Sequence, residues 1–295
     1  MESRPPFSSS SNSFLLPLSD AEIDRLLAED VPCGDLTTQA LGIGGRPGRI
    51  TFAARETMVV CATEEAVRLL TRVSATPRLL TSSGETAEPG RMLLEAEGSA
   101  VALLAAWKVA QTLIEWSAGV ASAVRDIVLA AQAVSPQVRV ACTRKSAPLT
   151  RALAARAVLA GGGAMHRLGL SETILLFPEH RVFLGDAGLA VAVARLRADA
   201  PERSIVVEVT NADDALEAAA LGADVLQLEK FTPDAVAQLV ARLRAAGGPR
   251  PRVAAAGGVN AANAAAYAGA GADVLVTSAP YAARPRDVQV SISAV

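Results

Sequence analysis

From Pro136 onward the chain repeats one rhythm. A short run of β-branched and small apolar residues is followed by an Ala-rich stretch with helical spacing. The apolar runs are 138–141, 174–176, 205–208, 225–228, 253–256 and 274–276, and the clearest helical stretches are 213–220, 233–246 and 261–270. Such strands carry little polar alternation, so both of their faces must be covered. Helices between them supply that cover, and strand–helix–strand order makes the sheet parallel. A TIM-like α/β barrel satisfies this rhythm, and so does an open doubly wound sheet.

Of the 295 residues, 51% are hydrophobic but only 3% are aromatic, so Ala, Val, Leu and Gly must build the core. That mix suits close helix–strand packing. A net charge of −2 leaves no basic footprint for a nucleic acid. No apolar run approaches the roughly 18 residues of a spanning helix, so no membrane contact is expected. Cys33, Cys61 and Cys142 are odd in number and widely spaced, forming neither a disulfide framework nor a metal pair. They point to a reduced, cytoplasmic setting.

The Ser- and Pro-rich residues 1–14 lack the apolar stretch of a signal peptide and read as a disordered lead. Ser19 and Glu22 form a capping-box pattern at a helix start. Pro32-Cys33-Gly34-Asp35 makes a turn after that helix. Short strands with one helix near 64–73 are expected between Gly48 and Gly98, then a long helix over 98–132, broken near Gly119. Three regions follow: a first domain over 15–122, a barrel domain over 123–283, and a segment 284–295 whose alternating Val288-Gln289-Val290-Ser291-Ile292 returns as a strand to the first domain.

In a parallel barrel, chemistry gathers where strands end. The first barrel strand ends in Thr143-Arg144-Lys145, and later ones at Glu208, Glu229, Gly257-Gly258 and Thr277-Ser278. One rim would thus carry cations, carboxylates and glycine amides. Two carboxylates near cations suit Mg²⁺ with a polyphosphate, and paired glycines let amides approach a phosphate. Gly161-Gly162-Gly163 before His166-Arg167 suggests a flexible backbone presenting an imidazole and a guanidinium, and the latter can clamp a carboxylate. Each group alone has an ordinary reading, as a solvated loop, a structural ion pair or a tight turn. Their joint placement carries the argument.

These residues bring the chain into line with a known family. Asp30-Val31-Pro32-Cys33-Gly34-Asp35-Leu36-Thr37-Thr38, Thr143-Arg144-Lys145, the Gly161–Leu170 stretch, Glu208, Glu229 and Gly257-Gly258 resemble, in order and spacing, the motifs of quinolinate phosphoribosyltransferases, also called carboxylating nicotinate-nucleotide pyrophosphorylases. The likeness runs from about Ser19 to the end and is nearest to the ModD branch, encoded beside molybdate-transport genes. It implies an incomplete α/β barrel with an N-terminal open-faced α/β sandwich, in a homodimer whose active sites take residues from both subunits. It implies Mg²⁺-dependent transfer of ribose 5-phosphate from phosphoribosyl pyrophosphate to the ring nitrogen of an aromatic acid. Carried over by motif, Arg144, His166 and Arg167 hold the acid, and Lys145 serves acid and diphosphate. Glu208 and Glu229 hold ribose hydroxyls and Mg²⁺, and Gly257, Gly258 and Ser278 line the 5-phosphate site.

The chain also departs from the family pattern. A family Arg supplied across the dimer falls on Lys108, after Trp107 where an acid is usual. A family Lys falls on Phe177. The second acid is Glu229 where Asp is usual, Ala254 and Ala256 replace an acid and a serine, and Ser278 replaces a glycine. Losing a cation at Phe177 weakens recognition of a dianion. The acceptor expected is therefore an aromatic or heterocyclic acid with one carboxylate fewer than quinolinate, or a different base. Two rival readings stand beside this one. The first is another phosphate-binding barrel enzyme, an isomerase or an aldolase using Lys145 or Lys230 as a Schiff base. The second is a non-catalytic binding protein in molybdate handling.

Overall fold

The computed structural model describes residues 18–295, and the lead at 1–14 lies outside them. The chain divides into two compact units. One runs to Ser122 and takes in Ala152–Gly162 and Arg284–Val295; the other comprises Ala123–Arg151 and Gly163–Ala283.

The first unit begins with α1 (Asp20–Asp30), opened by the capping box: Ser19 Oγ accepts from the Glu22 N–H at 3.3 Å, and the Glu22 carboxylate accepts from the Ser19 N–H at 2.7 Å. Asp35 caps α2 (Leu36–Ala40) by accepting from the N–H groups of Thr37 and Thr38. Then come β1 (Pro47–Ala54), β2 (Met58–Val59), α3 (Thr63–Arg72), β3 (Thr76–Leu79), β4 (Thr86–Ala87), β5 (Met92–Ser99) and α4 (Ala100–Gln132). Burial alternates along β1, with Ile50 and Phe52 fully buried. Each such side chain contributes about 1.5–3 kcal/mol by leaving water. Helix α3 packs on β3 and β5 through Ala66, Leu69 and Leu70.

Helix α4 is continuous over its 33 residues and is not broken at Gly119. The glycine answers a different need. A Cβ there would sit 2.4 Å from the carbonyl oxygen of Arg284, so only glycine lets the C-terminal segment lie against the helix.

The regular rhythm becomes β6 (Arg139–Cys142), α5 (Arg151–Ala160), β7 (Ala164–Met165), β8 (Ile174–Leu176), α6 (Pro178–Arg181), α7 (Gly188–Asp199), β9 (Ile205–Val209), α8 (Ala212–Ala220), β10 (Val225–Glu229), α9 (Pro233–Ala245), β11 (Arg252–Ala256), α10 (Ala264–Gly269) and β12 (Val274–Thr277). Apart from α5, which groups with the first unit, these elements form the second unit. Its seven strands are parallel, in the order β7-β6-β12-β11-β10-β9-β8.

That order decides between the two architectures. The first strand pairs with the last, Ala141 opposite Val276 and Cys142 opposite Thr277, so the sheet curls into a barrel. Strands β7 and β8 stand at its two edges, and the chain between them forms no helix. The barrel is therefore incomplete on that side. At the N-terminal strand ends, the twin Gly-Ala-Asp-Val runs at 222–225 and 271–274 do the same work. Asp224 accepts from the Ile205 N–H at 2.7 Å and pairs with Arg197; Asp273 accepts from the Val253 N–H at 2.7 Å and pairs with Arg250. The chemistry-bearing residues lie at the other end.

The last strand, β13 (Val288–Ala294), returns to the first unit. It runs antiparallel to β1 and completes a four-stranded sheet in the order β13-β1-β5-β3. The first unit is thus a separate open-faced α/β sandwich domain.

Candidate active site

A cavity of about 340 Å³ opens at the C-terminal strand ends of the half-barrel. Its walls include Arg144, Lys145, His166, Arg167, Glu208, Glu229, Gly257, Gly258 and Ser278. The structure thus brings together every residue assigned to the site from the sequence except Lys108. That lysine lies in the first unit, exposed on α4, with its Nζ 3.0 Å from Gln111 Oε1 and 4.2 Å from the centre of the Trp107 ring.

Local chemistry fixes each piece. The Tyr281 hydroxyl donates to the Thr143 carbonyl at 2.8 Å, anchoring the loop that carries Arg144 and Lys145. The glycine stretch is more ordered than its composition suggests. Ala164 and Met165 form β7 against β6, and the His166 N–H donates to the Cys142 carbonyl at 2.9 Å. His166 and Arg167 therefore leave a strand end, not a flexible loop. Arg151 donates to the Leu168 carbonyl at 3.0 Å just beyond.

Burial, then the nearby Arg167 charge, hold His166 below the ordinary imidazole range, so near neutral pH the ring is uncharged and can both donate and accept. Arg167 is buried, and its guanidinium lies 5.4 Å from the centre of the Phe177 ring, a cation–π contact. Burial and the neighbouring Arg144 lower its affinity for a proton. Two cations so close, with no carboxylate paired to either among the described residues, make a place for an anion.

Glu208 sits on β9 beside Gln227 on β10. Gln227 Nε2 donates to the Glu208 carboxylate at 2.5 Å. Burial pushes the Glu208 carboxyl above its ordinary range, and the Glu229 charge adds to that, against the hydrogen bond from Gln227. Glu229 ends β10.

The glycine pair follows β11. Gly257 has φ +84°, and a Cβ there would lie 2.7 Å from Lys230 Cγ and 2.9 Å from Glu229 Oε1. Any side chain would press on the cavity wall. The Gly258 carbonyl accepts from Asn260 and Asn263 Nδ2 at 3.1 and 3.0 Å. No described residue accepts from the N–H of Gly257 or Gly258, which leaves both amides available to a phosphate.

Reading by sequence passed over Gln227 and Leu175 as wall residues, and placed Thr277 on the rim only as a strand end. Gln227 gave a faint signal, as the one polar side chain amid the apolar run Val225-Leu226-Gln227-Leu228. Thr277 Oγ1 ties the end of β12 to the Val259 carbonyl at 2.6 Å, and no pattern in one sequence marks that. His180, which sequence left without a role, accepts from the Phe177 N–H through Nδ1 at 3.0 Å and stacks on that ring.

Carboxylate oxygens are hard donors, and Glu208 and Glu229 face one cavity. The described residues form no cluster of three His, Cys, Asp or Glu groups able to cage a metal. That donor set fits Mg²⁺, which is commonly held by one or two carboxylates with substrate phosphates completing its shell. Burial raises the Cys142 thiol to about 12, so it offers no thiolate near neutral pH. Lys145 and Lys230 are exposed, without the apolar burial that activates a Schiff-base lysine. No helix among the described residues is long and apolar enough to cross a membrane.

A half-barrel and a separate sheet domain in one chain, with cations and carboxylates at one mouth of the barrel, have known counterparts. NadC from Streptococcus pyogenes superposes with a TM-score of 0.85 at 26% identity, covering 94% of this chain and 96% of that one. The family model for the quinolinate phosphoribosyl transferase C-terminal domain matches residues 120–291, and that for the N-terminal domain matches 35–118. Among curated proteins, the pyrophosphorylase ModD of Rhodobacter capsulatus is 55% identical over 250 residues, 84% of this chain and 95% of that one. ModD of Pasteurella multocida is 43% identical over 279 residues, 94% and 99% of the two chains. The chain belongs to the quinolinate phosphoribosyl transferase family and is an enzyme of the pentosyltransferase class.

Proposed function

We propose that this chain transfers ribose 5-phosphate from phosphoribosyl pyrophosphate to the ring nitrogen of an aromatic or heterocyclic acid. One observation carries the reading: unpaired cations, two carboxylates and free glycine amides line a single cavity. The amides of Gly257 and Gly258, with Ser278, receive the 5-phosphate. Lys145 meets the diphosphate. Arg144, Arg167 and His166 hold the carboxylate of the acceptor. Glu208 and Glu229 would hold Mg²⁺, which when bound neutralises the leaving diphosphate.

The bond from the ribose anomeric carbon to the diphosphate oxygen breaks, and its electron pair leaves with pyrophosphate. The lone pair of the ring nitrogen forms the new carbon–nitrogen bond. Positive charge develops on the ribose between these events, and the fixed carboxylates of Glu208 and Glu229 stabilise it. No side-chain nucleophile takes part.

Phe177 narrows the acceptor. It puts an apolar ring on the cavity wall, so a second carboxylate would meet no cation there. A monocarboxylate is the better partner. The test is a screen of aromatic acids and bases with phosphoribosyl pyrophosphate and Mg²⁺, reading released pyrophosphate. Turnover with a monoacid is expected. Efficient turnover of quinolinate overturns the choice of acceptor, and silence with every acid overturns the reaction.

Lys108, outside the cavity lining, is assigned to the site of a second copy of this chain. Lys108→Ala and Lys145→Ala proteins, each impaired, are expected to regain about a quarter of wild-type turnover when their subunits are mixed, since one intact site forms in each mixed dimer. No recovery in a mixture shown to exchange subunits removes the shared site.

A further inference from the structure

We infer that Gln227 selects the acceptor, its side-chain oxygen receiving a hydrogen bond from an N–H or O–H group carried on the heteroaromatic ring. The inference rests on the transfer reaction proposed above and names the class of ring that the reaction takes. Gln227 is 6% exposed and lines the cavity. Its Oε1 is the one buried side-chain polar atom among the described residues that has no hydrogen-bond partner. Leaving a buried amide oxygen without a donor is destabilising, so such an atom calls for an explanation.

The neighbours of Gln227 on its face of the sheet explain why no protein group fills the need. Across the sheet it faces Glu208 on one side and Ala254 on the other. Two residues away along its own strand stand Val225 and Glu229. An ionised Glu208 can only accept, so it takes the amide nitrogen and turns the oxygen away. Ala254 and Val225 have no polar side-chain atom, and Glu229 is another acceptor. The oxygen is therefore held in one orientation by a neighbour that cannot satisfy it. What can satisfy it is a donor brought into the cavity.

The same geometry excludes a second carboxylate. A carboxylate placed against Gln227 Oε1 sets acceptor against acceptor, and Phe177 supplies no compensating charge. An amino, hydroxyl or ring N–H group at that position makes the missing bond. The ring selected is a heteroaromatic monoacid bearing such a donor, anchored by its single carboxylate at Arg167.

The experiment compares nicotinate with its 2-amino, 6-amino and 2-hydroxy derivatives by calorimetry on the full chain. It uses the wild type, Gln227→Leu, and Gln227→Met as a second variant of matching length. At least one donor-bearing acid is expected to bind the wild type about tenfold or more tightly than nicotinate, with the ratio falling within about twofold of one in either variant. A merely structural role would weaken all the acids together and leave the ratio alone. A ratio that persists in the variants, or a wild type without preference, overturns the inference. Pyrophosphate release is read in parallel. Discrimination in binding without release removes the transfer reaction and keeps the role of Gln227; release that ignores the donor keeps the reaction and removes the role.

Discussion

The first unit and the cavity of the second use the same kinds of charged residue in opposite ways. In the first, charges are matched inside the protein. Arg156 pairs with Glu65 at 2.6 Å and Glu64 at 2.7 Å, Arg284 and Arg286 close on Glu56, and Arg49 and Arg78 share Glu95. In the second, at the cavity, Arg144, Lys145, Arg167, Glu208, Glu229 and Lys230 converge, and none forms an ion pair among the described residues. Matched charge holds a fold, whereas unmatched charge gathered at one mouth is repulsive until a ligand of the right sign arrives. Substitutions at the paired charges of the first unit should therefore cost stability and spare chemistry, and those at the cavity should do the reverse.

The largest expected effect is at Arg156. Its side chain is 5% exposed and that of Glu65 is 1% exposed. Burial raises the Glu65 carboxyl even with the guanidinium beside it. Arg156→Met strands that carboxylate, and a broken buried pair costs about 3–5 kcal/mol. Denaturant unfolding should show this loss, while protein still folded keeps its turnover. A variant of unchanged stability would break the comparison on the structural side.

Next come the cavity substitutions. Glu208→Gln and Lys145→Ala should each cut turnover at least about tenfold, equivalent to about 1.4 kcal/mol of transition-state stabilisation. Their unfolding midpoints should stay near that of the wild type, because neither side chain holds an ion pair. Full turnover in both variants, measured as pyrophosphate release, would break the comparison on the chemical side.

The sequence made much of this division legible, for physical reasons. Strand–helix alternation is a local property of burial, so six of the seven parallel strands could be placed from the order of apolar runs. Strand ends follow from the same pattern, which is why Arg144, Glu208, Glu229 and Gly257 fall on one rim in the sequence alone. What stayed hidden depends on contacts between distant residues. Gly119 looks like a helix breaker until the Arg284 carbonyl is seen against it. The two-residue strand at Ala164–Met165 is too short to have a period and exists because β6 offers it an edge. The pairing of Arg156 with two glutamates from α3 joins residues about ninety apart in sequence, and no local rule predicts it. Gln227 could be noticed as a polar intruder, but its unsatisfied oxygen depends on what Glu208 and Ala254 bring from strands on either side.

The smallest effect tests the comparison where it is weakest, at the partly exposed edge of the first unit. Glu56 accepts from Arg284 at 3.0 Å, from Arg286 at 2.9 Å and from the Asp287 N–H at 3.0 Å, while the Asp287 carboxylate itself pairs with Arg55. The Arg284 hydrogen bonds, with lesser help from the Asp287 N–H and Arg286, bring its carboxyl down from 4.5 to about 2. A carboxyl more acidic in the folded chain than in the unfolded one stabilises the fold at pH values above its unfolded pKa. That contribution is complete above about pH 5 and is lost as the pH falls through about 2. Wild type should therefore exceed Glu56→Gln in melting temperature at neutral pH, with the gap closing over that acid window. The gap should also shrink in high salt, since solvent reaches these side chains and screens them. A gap independent of pH would mean that Glu56 acts through shape and not charge, and that matched charge in the first unit stabilises only where it is buried, as at Arg156.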